Sequence, residues 1–486
     1  MKRLAVVNYR LIMYVLGIIL MIEAFFMLFN VVISYIYHEP FVKKNFFAFL
    51  ITFCLGFILF ISNRIGLSRG FSRKDSFLLV TLSWLVISLF GTLPYLLTQS
   101  IPLFTNAFFE SVSGFTTTGS SILTDIEVLP KSMLFWRSLT HWIGGMGIIV
   151  LFIALFPMMK VGKIYLFNAE ASVVVEEKTF PRIFSVARTI WLIYILLTFL
   201  EIILLYIGGM NLFDSVCHAF ATVATGGFST KNTSIGNYSP YIQYVVAIFM
   251  ILSATNFNIY LLMLKKKFSS VFKNEEWRTY LLILFIIVVI VAIILYANDI
   301  YNLEQSFRYA LFNVASLMSA TGFATTDYLL WPALAWMFIL LVMFIGASSG
   351  STGGGVKVVR YVILIKKIKS TFQEIIHPNI ISPVRYNGHV VEDDIVFKVL
   401  VFIIMYFIIV IVGTFILLIL GVDPLTAFGS SLTAMGGMGP GLGLTGPAGN
   451  FSSIPVVGKY ILIILMLIGR LEIFSVLILF TKEYWK

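Results

Sequence analysis

The sequence predicts an all-α polytopic membrane protein, with four pseudo-symmetric helix–pore-helix–helix repeats around one pore, preceded by an extra helical pair. Three observations predict this fold: the composition, the spacing of apolar runs, and a fourfold recurrence of short segments that end at a glycine. Of the 486 residues, 59% are hydrophobic and 12% are charged, about half the charged fraction of soluble domains. The mean hydropathy of +0.97 excludes disorder, a coiled coil, a secreted disulfide scaffold and a nucleic-acid-binding module.

Ten apolar runs have the roughly 20 residues that are needed to cross a hydrocarbon core of about 30 Å. They are residues 11–36, 44–62, 76–98, 133–157, 187–208, 241–264, 279–298, 330–347 (continuing irregularly to about 364), 396–421 and 457–480. Four shorter stretches lie between some of these runs, at residues 103–117, 211–224, 305–320 and 423–437. Because they are too short to cross, we expect them to re-enter the membrane or to be buried helices.

Lys and Arg residues gather in short loops that follow even-numbered spans, which predicts that these loops are cytoplasmic. The four groups are Arg64, Arg69, Arg73 and Lys74; Lys160 and Lys163; Lys265, Lys266, Lys267 and Lys273; and Lys357, Arg360, Lys366, Lys367 and Lys369. With Lys2 and Arg3 also inside, both termini are expected in the cytoplasm and the short stretches on the outer side. The net charge of +11 is therefore attributed to the basic residues of these cytoplasmic loops.

The order of long span, short segment, glycine-containing loop and long span recurs four times after residue 75. The short segments align without a gap over thirteen residues, from Ala107 to Gly119, Asp214 to Gly226, Ala310 to Gly322 and Ala427 to Gly439. We divide the chain into a transmembrane hairpin (1–74) and four pore repeats (75–165, 166–272, 273–385 and 386–486).

A short helix that stops at a Thr-Gly turn has a physical use when four copies surround one axis. Its carboxyl end directs the negative pole of the helix dipole at the centre, where a cation is favoured. The backbone beyond it can point carbonyl oxygens inward and replace the hydration shell of the cation. Glycine accepts the positive φ that this arrangement requires. The spacing therefore predicts a pore with four unequal filter segments.

The same residues resemble the Trk/Ktr/HKT superfamily of potassium transporters over the whole chain. Further family-like stretches are Trp142 to Gly147 (WIGGMG), Ala224 to Thr230 (ATGGFST), Ala320 to Asp327 (ATGFATTD) and Gly439 to Gly443 (GPGLG). The resemblance implies gated potassium uptake across the bacterial cytoplasmic (inner) membrane, a homodimer, and control by a cytoplasmic nucleotide-binding ring protein. It implies membrane lipid as surroundings, the potassium ion as substrate, and no covalently bound cofactor.

Carried over position by position, the resemblance implies filter carbonyls in four walls. They are Thr117, Thr118 and Gly119; Ala224, Thr225 and Gly226; Ala320, Thr321 and Gly322; and Gly437, Met438 and Gly439. The fourth wall departs from the Thr-Gly form. Plant relatives with sodium selectivity have serine where this chain has Gly119, so the resemblance favours potassium.

Below the filter the eighth span is interrupted, because so many glycines cannot remain helical, and irregular backbone at membrane depth must lie within protein or beside a water-filled cavity. In the family that the chain resembles, this position is similar to an intramembrane gate, and the resemblance therefore implies a gate here. Its residues include Gly346, Ser348, Gly350, Gly353, Gly354 and Gly355. The alternative is a flexible surface connection, since Lys357 and Arg360 follow. Arg470, within the last apolar run, should face protein or water. It lines the pore as a barrier to cations, or it forms a structural ion pair with Glu472 or with an acid of another helix, and the two roles are compatible. Glu472 is poorly placed for this pair, because residues two apart on a helix do not face each other.

Other polar residues of these segments are interpreted as structural. Glu110 and Asn313 occupy matching places in the first and third pore helices and are expected to hold the filter through hydrogen bonds. His141 and His218 are expected to be satisfied structural histidines. Cys54 and Cys217 offer no disulfide framework or metal spacing.

Two other functions are alternatives to the channel. Residues 346–350 match the G-x-S-x-G pattern of serine hydrolases, but no strand-to-helix elbow or nearby base is expected, so the chain is predicted not to be an enzyme. A potassium symporter coupled to sodium or protons by alternating access is the second alternative. Such transporters usually have inverted repeats, whereas the four repeats here share one orientation.

Overall fold

The structure is a computed structural model that describes residues 7–64, 72–145, 147 and 180–485. Within these residues the strands form one antiparallel hairpin, in which Arg385 pairs with Val390. The elements are α1 (Tyr9–Ile36), α2 (Val42–Ser62), α3 (Arg73–Phe90), α4 (Leu93–Thr98), α5 (Phe104–Phe115), α6 (Lys131–Gly145), α7 (Phe180–Ile207), α8 (Leu212–Val223), α9 (Pro240–Ser253), α10 (Phe257–Leu264), α11 (Phe268–Phe272), α12 (Glu275–Ala297), α13 (Leu303–Met318), α14 (Ala333–Ile345), α15 (Val358–Ile376), β1 (Arg385–Tyr386), β2 (His389–Val390), α16 (Asp393–Ile419), α17 (Pro424–Gly436), α18 (Val456–Arg470), α19 (Ile473–Leu477) and α20 (Lys482–Trp485).

Six stretches of the described chain are long and apolar enough to cross a membrane, and they confirm six predicted spans. They are α1, α2, α3 together with α4, most of α7, α12 and α16. The protein is therefore a multi-pass membrane protein. Its chain enters and leaves the apolar layer several times, as the composition predicts.

The other four predicted spans depart from straight helices or lie partly outside the described residues. The predicted runs 241–264 and 457–480 are broken, because α9 and α10 meet at 88° and α18 and the segment after it meet at 116°. The eighth span contains the 13-residue α14 before its predicted irregular part. The fourth, 133–157, passes from α6 into residues outside the described ranges. The basic residues Arg69, Lys160 and Lys163 also lie outside these ranges.

The four predicted short segments are helices, and we call α5, α8, α13 and α17 the pore helices. Three of them begin at a side chain that accepts a hydrogen bond from the first turn: Asn211, Asn302 and Asp423. Such caps replace partners that the first turn lacks, which fixes where a short helix begins. Hydrogen bonds from Thr426 lower the pKa of the Asp423 carboxyl, so this cap stays charged at the positive end of its helix.

The repeats pack into a closed ring. Each pore helix contacts the two flanking helices of its own repeat and the second helix of the preceding repeat. Thus α8 packs on α6, α13 on α9, α17 on α14, and α5 closes the ring by packing on α18. A ring of this kind places all four pore-helix carboxyl ends near one axis.

The extra hairpin of α1 and α2 lies outside this ring against the first repeat, where α1 contacts α3 and α6. The two helices approach closely at Gly17 and Gly56. A Cβ on Gly17 would lie 2.7 Å from the carbonyl oxygen of Gly56, so a larger residue would separate the hairpin.

Candidate functional site

The site is built by the residues that follow the four pore helices. In each repeat one backbone N–H beyond the helix bonds a carbonyl five residues earlier, which turns the chain toward the axis. These bonds are Thr118 N to Ser113 O (2.9 Å), Gly226 N to Ala221 O (2.7 Å), Thr321 N to Ser316 O (2.8 Å) and Met438 N to Thr433 O (3.2 Å). Residues 118, 226, 321 and 438 therefore occupy equivalent positions.

The residues on either side of these four positions have left-handed φ angles. The preceding residues are Thr117 (54°), Thr225 (54°), Ala320 (62°) and Gly437 (65°), and the following residues are Gly119 (80°), Gly227 (82°), Gly322 (86°) and Gly439 (81°). Two left-handed residues around one ordinary residue recur in all four repeats. The fourth segment has the same backbone as the others, although its residues differ.

This pattern corrects the predicted register of the second repeat. The gap-free alignment equated Gly226 with Gly119, whereas the structure equates Gly227 with Gly119 and places Ala224 at the end of the α8 helix instead of in the turn. The second segment is thus Thr225, Gly226 and Gly227. The Gly-Phe-x-Thr sequence shared by residues 227–230 and 322–325 is a signal that favours this register.

The four segments contact one another in ring order through their backbones. A Cβ built on Gly119 would lie 2.0 Å from Gly226 O, one on Gly227 2.0 Å from Thr321 O, one on Gly322 2.2 Å from Met438 O, and one on Gly439 3.2 Å from Thr118 O. A side chain at the first three positions would overlap a neighbouring carbonyl. Glycine is therefore required at these three positions by both φ and space. We call residues 117–119, 225–227, 320–322 and 437–439 the backbone ring.

A polar side chain eight residues before the central position supports each segment from behind. With the corrected register these side chains are Glu110, His218, Asn313 and Ser430. Their partners follow the ring in sequence: Ser121 and Ile122 for Glu110, Ser229 for His218, Thr325 for Asn313, and Thr445 for Ser430. The expected structural role of Glu110, Asn313 and His218 agrees with these bonds, and Ser430 is a fourth member.

Among these four supporting side chains, Glu110 is the one that forms an ion pair. Arg137, on α6, donates from Nε to the Glu110 carboxylate at 2.9 Å, and the two side chains are 1% and 0% exposed. The same guanidinium donates to Ser229 O at 3.1 Å and lies 4.0 Å from the centre of the Phe228 ring. This buried pair joins the first and second segments. Arg137 was not among the predicted site residues.

His141 joins the same two repeats closer to the axis. Its Nδ1 contacts Gly114 O at 2.7 Å, and its Nε2 accepts the Phe228 N–H at 3.1 Å. Both ring nitrogens are used and the side chain is buried, in agreement with a structural histidine.

Residues 346–357, which we call the loop, lie directly below the backbone ring. Thr352 Oγ1 donates toward Val223 O (3.2 Å) at the end of α8. A Cβ on Gly353 would lie 2.5 Å from Ser319 O, and one on Gly354 2.1 Å from Gly436 O. The loop therefore touches the carboxyl ends of three pore helices. Its irregular backbone is buried in protein, which rules out the alternative of a surface connection and satisfies the requirement for non-helical backbone at membrane depth.

Arg470 completes this lower layer from the last residue of α18, beside the break of the tenth span. Its guanidinium donates to Thr352 O (2.9 Å), Gly144 O (2.5 Å) and Gly145 O (2.9 Å). It thereby links the fourth repeat to the loop and to α6 of the first repeat. The suggested partner Glu472 pairs with Arg360 at 2.7 Å and with Lys357 at 3.8 Å.

Known proteins share this architecture. Residues 42–486 match the family described as "TrkH: Cation transport protein". The "Trk system potassium uptake protein TrkH" of Escherichia coli (strain K12) is 36% identical over 484 residues, covering 99% of this chain and 100% of the relative. The "Trk system potassium uptake protein TrkG" of the same strain is 32% identical over 482 residues, covering 98% and 99%.

A solved structure agrees with these relatives. The "Crystal Structure of the Potassium Transporter TrkH from Vibrio parahaemolyticus" has a TM-score of 0.88 at 32% identity and covers 99% of this chain and 100% of that chain. These relatives are described as transporters, in agreement with the prediction that the chain is not an enzyme. The family match and the full-length identity show that this chain belongs to the TrkH family of cation transport proteins.

Proposed function

We propose that the protein takes up potassium through a gated, selective pore whose filter is the backbone ring. The observation that carries this proposal is the closed order of the four segments, each within contact distance of the next. Four carboxyl ends of helices surround the same axis, and their dipoles favour a cation there. Backbone carbonyls in such a ring replace the hydration shell of a potassium ion.

The filter ligands in this proposal are the carbonyls of residues 117–119, 225–227, 320–322 and 437–439. Gly227 replaces Ala224 in the second wall because the turn begins one residue later than the alignment predicted. The side chains of this ring are chemically unlike, yet the φ pattern is common to all four walls. A filter made of main-chain oxygens tolerates that variety, since each residue supplies the same carbonyl.

The loop and Arg470 form the gate in this proposal. The loop lies under three pore-helix ends, and Arg470 adds a positive charge at the same level. A cation that leaves the filter must displace the loop and pass this charge. Opening therefore requires the loop to move away from Val223 and Gly436.

The proposed surroundings and partners are inferred from the family. We propose that the chain lies in the bacterial cytoplasmic membrane with both termini inside, as the basic loops favour. Exposed aromatic residues on α2, among them Phe46, Phe47 and Phe57, would face lipid. The relatives are named as parts of a Trk system, which supports a regulatory partner, proposed here as a nucleotide-binding ring protein. A homodimer is proposed from the same resemblance.

Purified protein in liposomes tests the function directly. With imposed potassium and sodium gradients, a channel should give a reversal potential that follows the potassium gradient alone. A reversal potential that shifts when only the sodium or proton gradient is changed would favour the coupled symporter. Growth of a potassium-uptake-deficient bacterium on low potassium, rescued by this protein, would test uptake in cells.

A further inference from the structure

The inner end of α12 reaches the loop through one carboxylate. Glu276, in the first turn of that helix, is 1% exposed. Its Oε1 accepts the backbone N–H of Ser349 at 2.5 Å. Its Oε2 lies 3.5 Å from the Asn256 side-chain nitrogen. Ser349 belongs to the loop and Asn256 to the break between α9 and α10, and the backbone of Val359, at the start of α15, also bonds this carboxylate.

The backbone of that break forms hydrogen bonds with the same part of the loop. Ser348 N donates to Ala254 O at 3.1 Å, and Phe257 N donates to Gly350 O at 3.0 Å. A Cβ on Gly350 would lie 3.1 Å from Asn256 Oδ1, so Asn256 lies against the loop as well. Each of residues 348, 349 and 350 thus makes a hydrogen bond, either to the second repeat or to α12 of the third repeat.

The neighbouring Glu275 provides a natural contrast. Its carboxylate pairs with Lys366 and accepts the Asn387 N–H at 3.2 Å, on the hairpin of β1 and β2. Its side chain is 32% exposed. Two adjacent glutamates therefore have separate partners, one in the hairpin and one in the loop.

We propose that Glu276 is a positioning residue that clasps the loop in its closed place below the backbone ring. The clasp rests on the proposed gate and adds a specific requirement: the Glu276–Ser349 bond must break before the loop can withdraw. Hydrogen bonds to charged groups are stronger than neutral ones, and burial shields this one from competing water. The clasp therefore biases the loop toward the closed state.

Basal potassium flux into liposomes, without any partner protein, measures the bias. Glu276→Ala should raise basal flux on the order of tenfold, the change in a two-state equilibrium that loss of one such bond produces. Glu276→Gln keeps an acceptor oxygen for the Ser349 N–H and should stay within about threefold of the native protein, since mainly the charge is lost. Glu275→Ala is the matched control and should leave basal flux unchanged.

A chemical crosslink gives an independent measurement if Glu276→Ala does not fold. In a background without Cys54 and Cys217, the double variant Glu276→Cys with Ser349→Cys should lose open-state flux when treated with a short, reducible bifunctional thiol reagent. Reductant should restore the flux. Either single variant treated alike should be unaffected.

Deletion of residues 347–353 separates the clasp from the gate. If that deletion raises basal flux but Glu276→Ala folds normally and conducts like the native protein, the clasp is wrong and the gate stands. A crosslinked double variant that conducts fully would overturn the clasp as well. If the deletion also leaves basal flux at the native level, the gate proposal is wrong, and the clasp proposal, which rests on it, is wrong as well.

Discussion

The half of the molecule that holds the backbone ring, the ring half, and the half that holds the loop, the loop half, follow different rules. At the ring half, four pore helices end in one backbone pattern, with left-handed residues before and after a central position. At the loop half, the second helices of repeats two, three and four continue in three ways: a bend of 88°, the loop, and a bend of 116°. Fourfold similarity is thus kept around the backbone ring and its supporting side chains and is lost around the loop.

The difference indicates what each half can be used for. A ring of main-chain atoms needs only glycine at tight places, so sequences can diverge around it while its geometry stays the same. The contacts of the loop half depend on single residues that occur once, such as Glu276, Arg470 and Glu472. An arrangement without symmetry allows one repeat to move independently, which suits a gate.

The largest expected effect concerns the charged support of the ring half. Glu110→Ala should lower the free energy of unfolding by about 3–5 kcal/mol, because it leaves Arg137 buried without its carboxylate. Ser430→Ala, at the equivalent position of the fourth repeat, should cost only about 1 kcal/mol, the usual value of a neutral hydrogen bond. Denaturation in detergent, followed by circular dichroism, compares the two. Equal losses would show that the supports are energetically alike.

The ring itself should be next in sensitivity. Gly119→Ser and Gly227→Ser should each lower the potassium-to-sodium permeability ratio about tenfold or more, since a left-handed non-glycine residue costs roughly 1–3 kcal/mol before its overlap with a neighbouring carbonyl. Gly209→Ala is a control with a φ of 91° and open space around it. Ion-substitution currents give the ratio.

The register can be tested by rescue. A Cβ on Gly226 would meet the His141 ring at 2.4 Å, whereas one on Gly227 would meet backbone. His141→Ala should therefore partly restore the potassium-to-sodium permeability ratio of Gly226→Ala but not that of Gly227→Ala. Retained potassium preference in Gly119→Ser with normal flux would remove Gly119 from the filter.

Removing the loop should affect closure more than selectivity. Deletion of residues 347–353 should raise basal flux by about tenfold, the change that corresponds to roughly 1.4 kcal/mol in a closed-to-open equilibrium, while the permeability ratio remains native. Isotope uptake into liposomes measures the flux, and thermal unfolding checks that the protein is intact. Unchanged flux through a folded variant would return the loop to a connecting role.

The smallest change is expected at Arg470. Arg470→Ala should raise closed-state flux about threefold to fivefold, because a charge about 4 Å from a cation repels it strongly at low effective dielectric but is screened by water in the pore. Arg470→Lys should retain much of the barrier, although it loses the planar fork that reaches three carbonyls. If the two variants conduct alike, or Arg470→Ala simply fails to fold, Arg470 is structural.

Some features of the site were predictable because they depend on local chemistry. The pore helices lie within two residues of the predicted segments at every boundary, since caps such as Asn302 and Asp423 and the following glycines act over a few residues. The interruption after Ile345 was predictable from its glycine content for the same reason. Broken spans at residues 254–256 and 471–472 were not, because neither break contains a glycine or a proline.

By itself, the sequence determined that this chain is a membrane protein of four like-oriented repeats with short helices that end at glycines, because apolar length, capping residues and glycine content act locally. The tertiary structure established that Gly227 of the Gly226-Gly227 pair has the left-handed φ, which the Gly-Phe-x-Thr match favours but does not decide. It also decided the partners of Arg137 and Glu276, which lie 27 and 73 residues away in sequence. Such pairs depend on how the repeats close around the axis, and no local pattern encodes that closure.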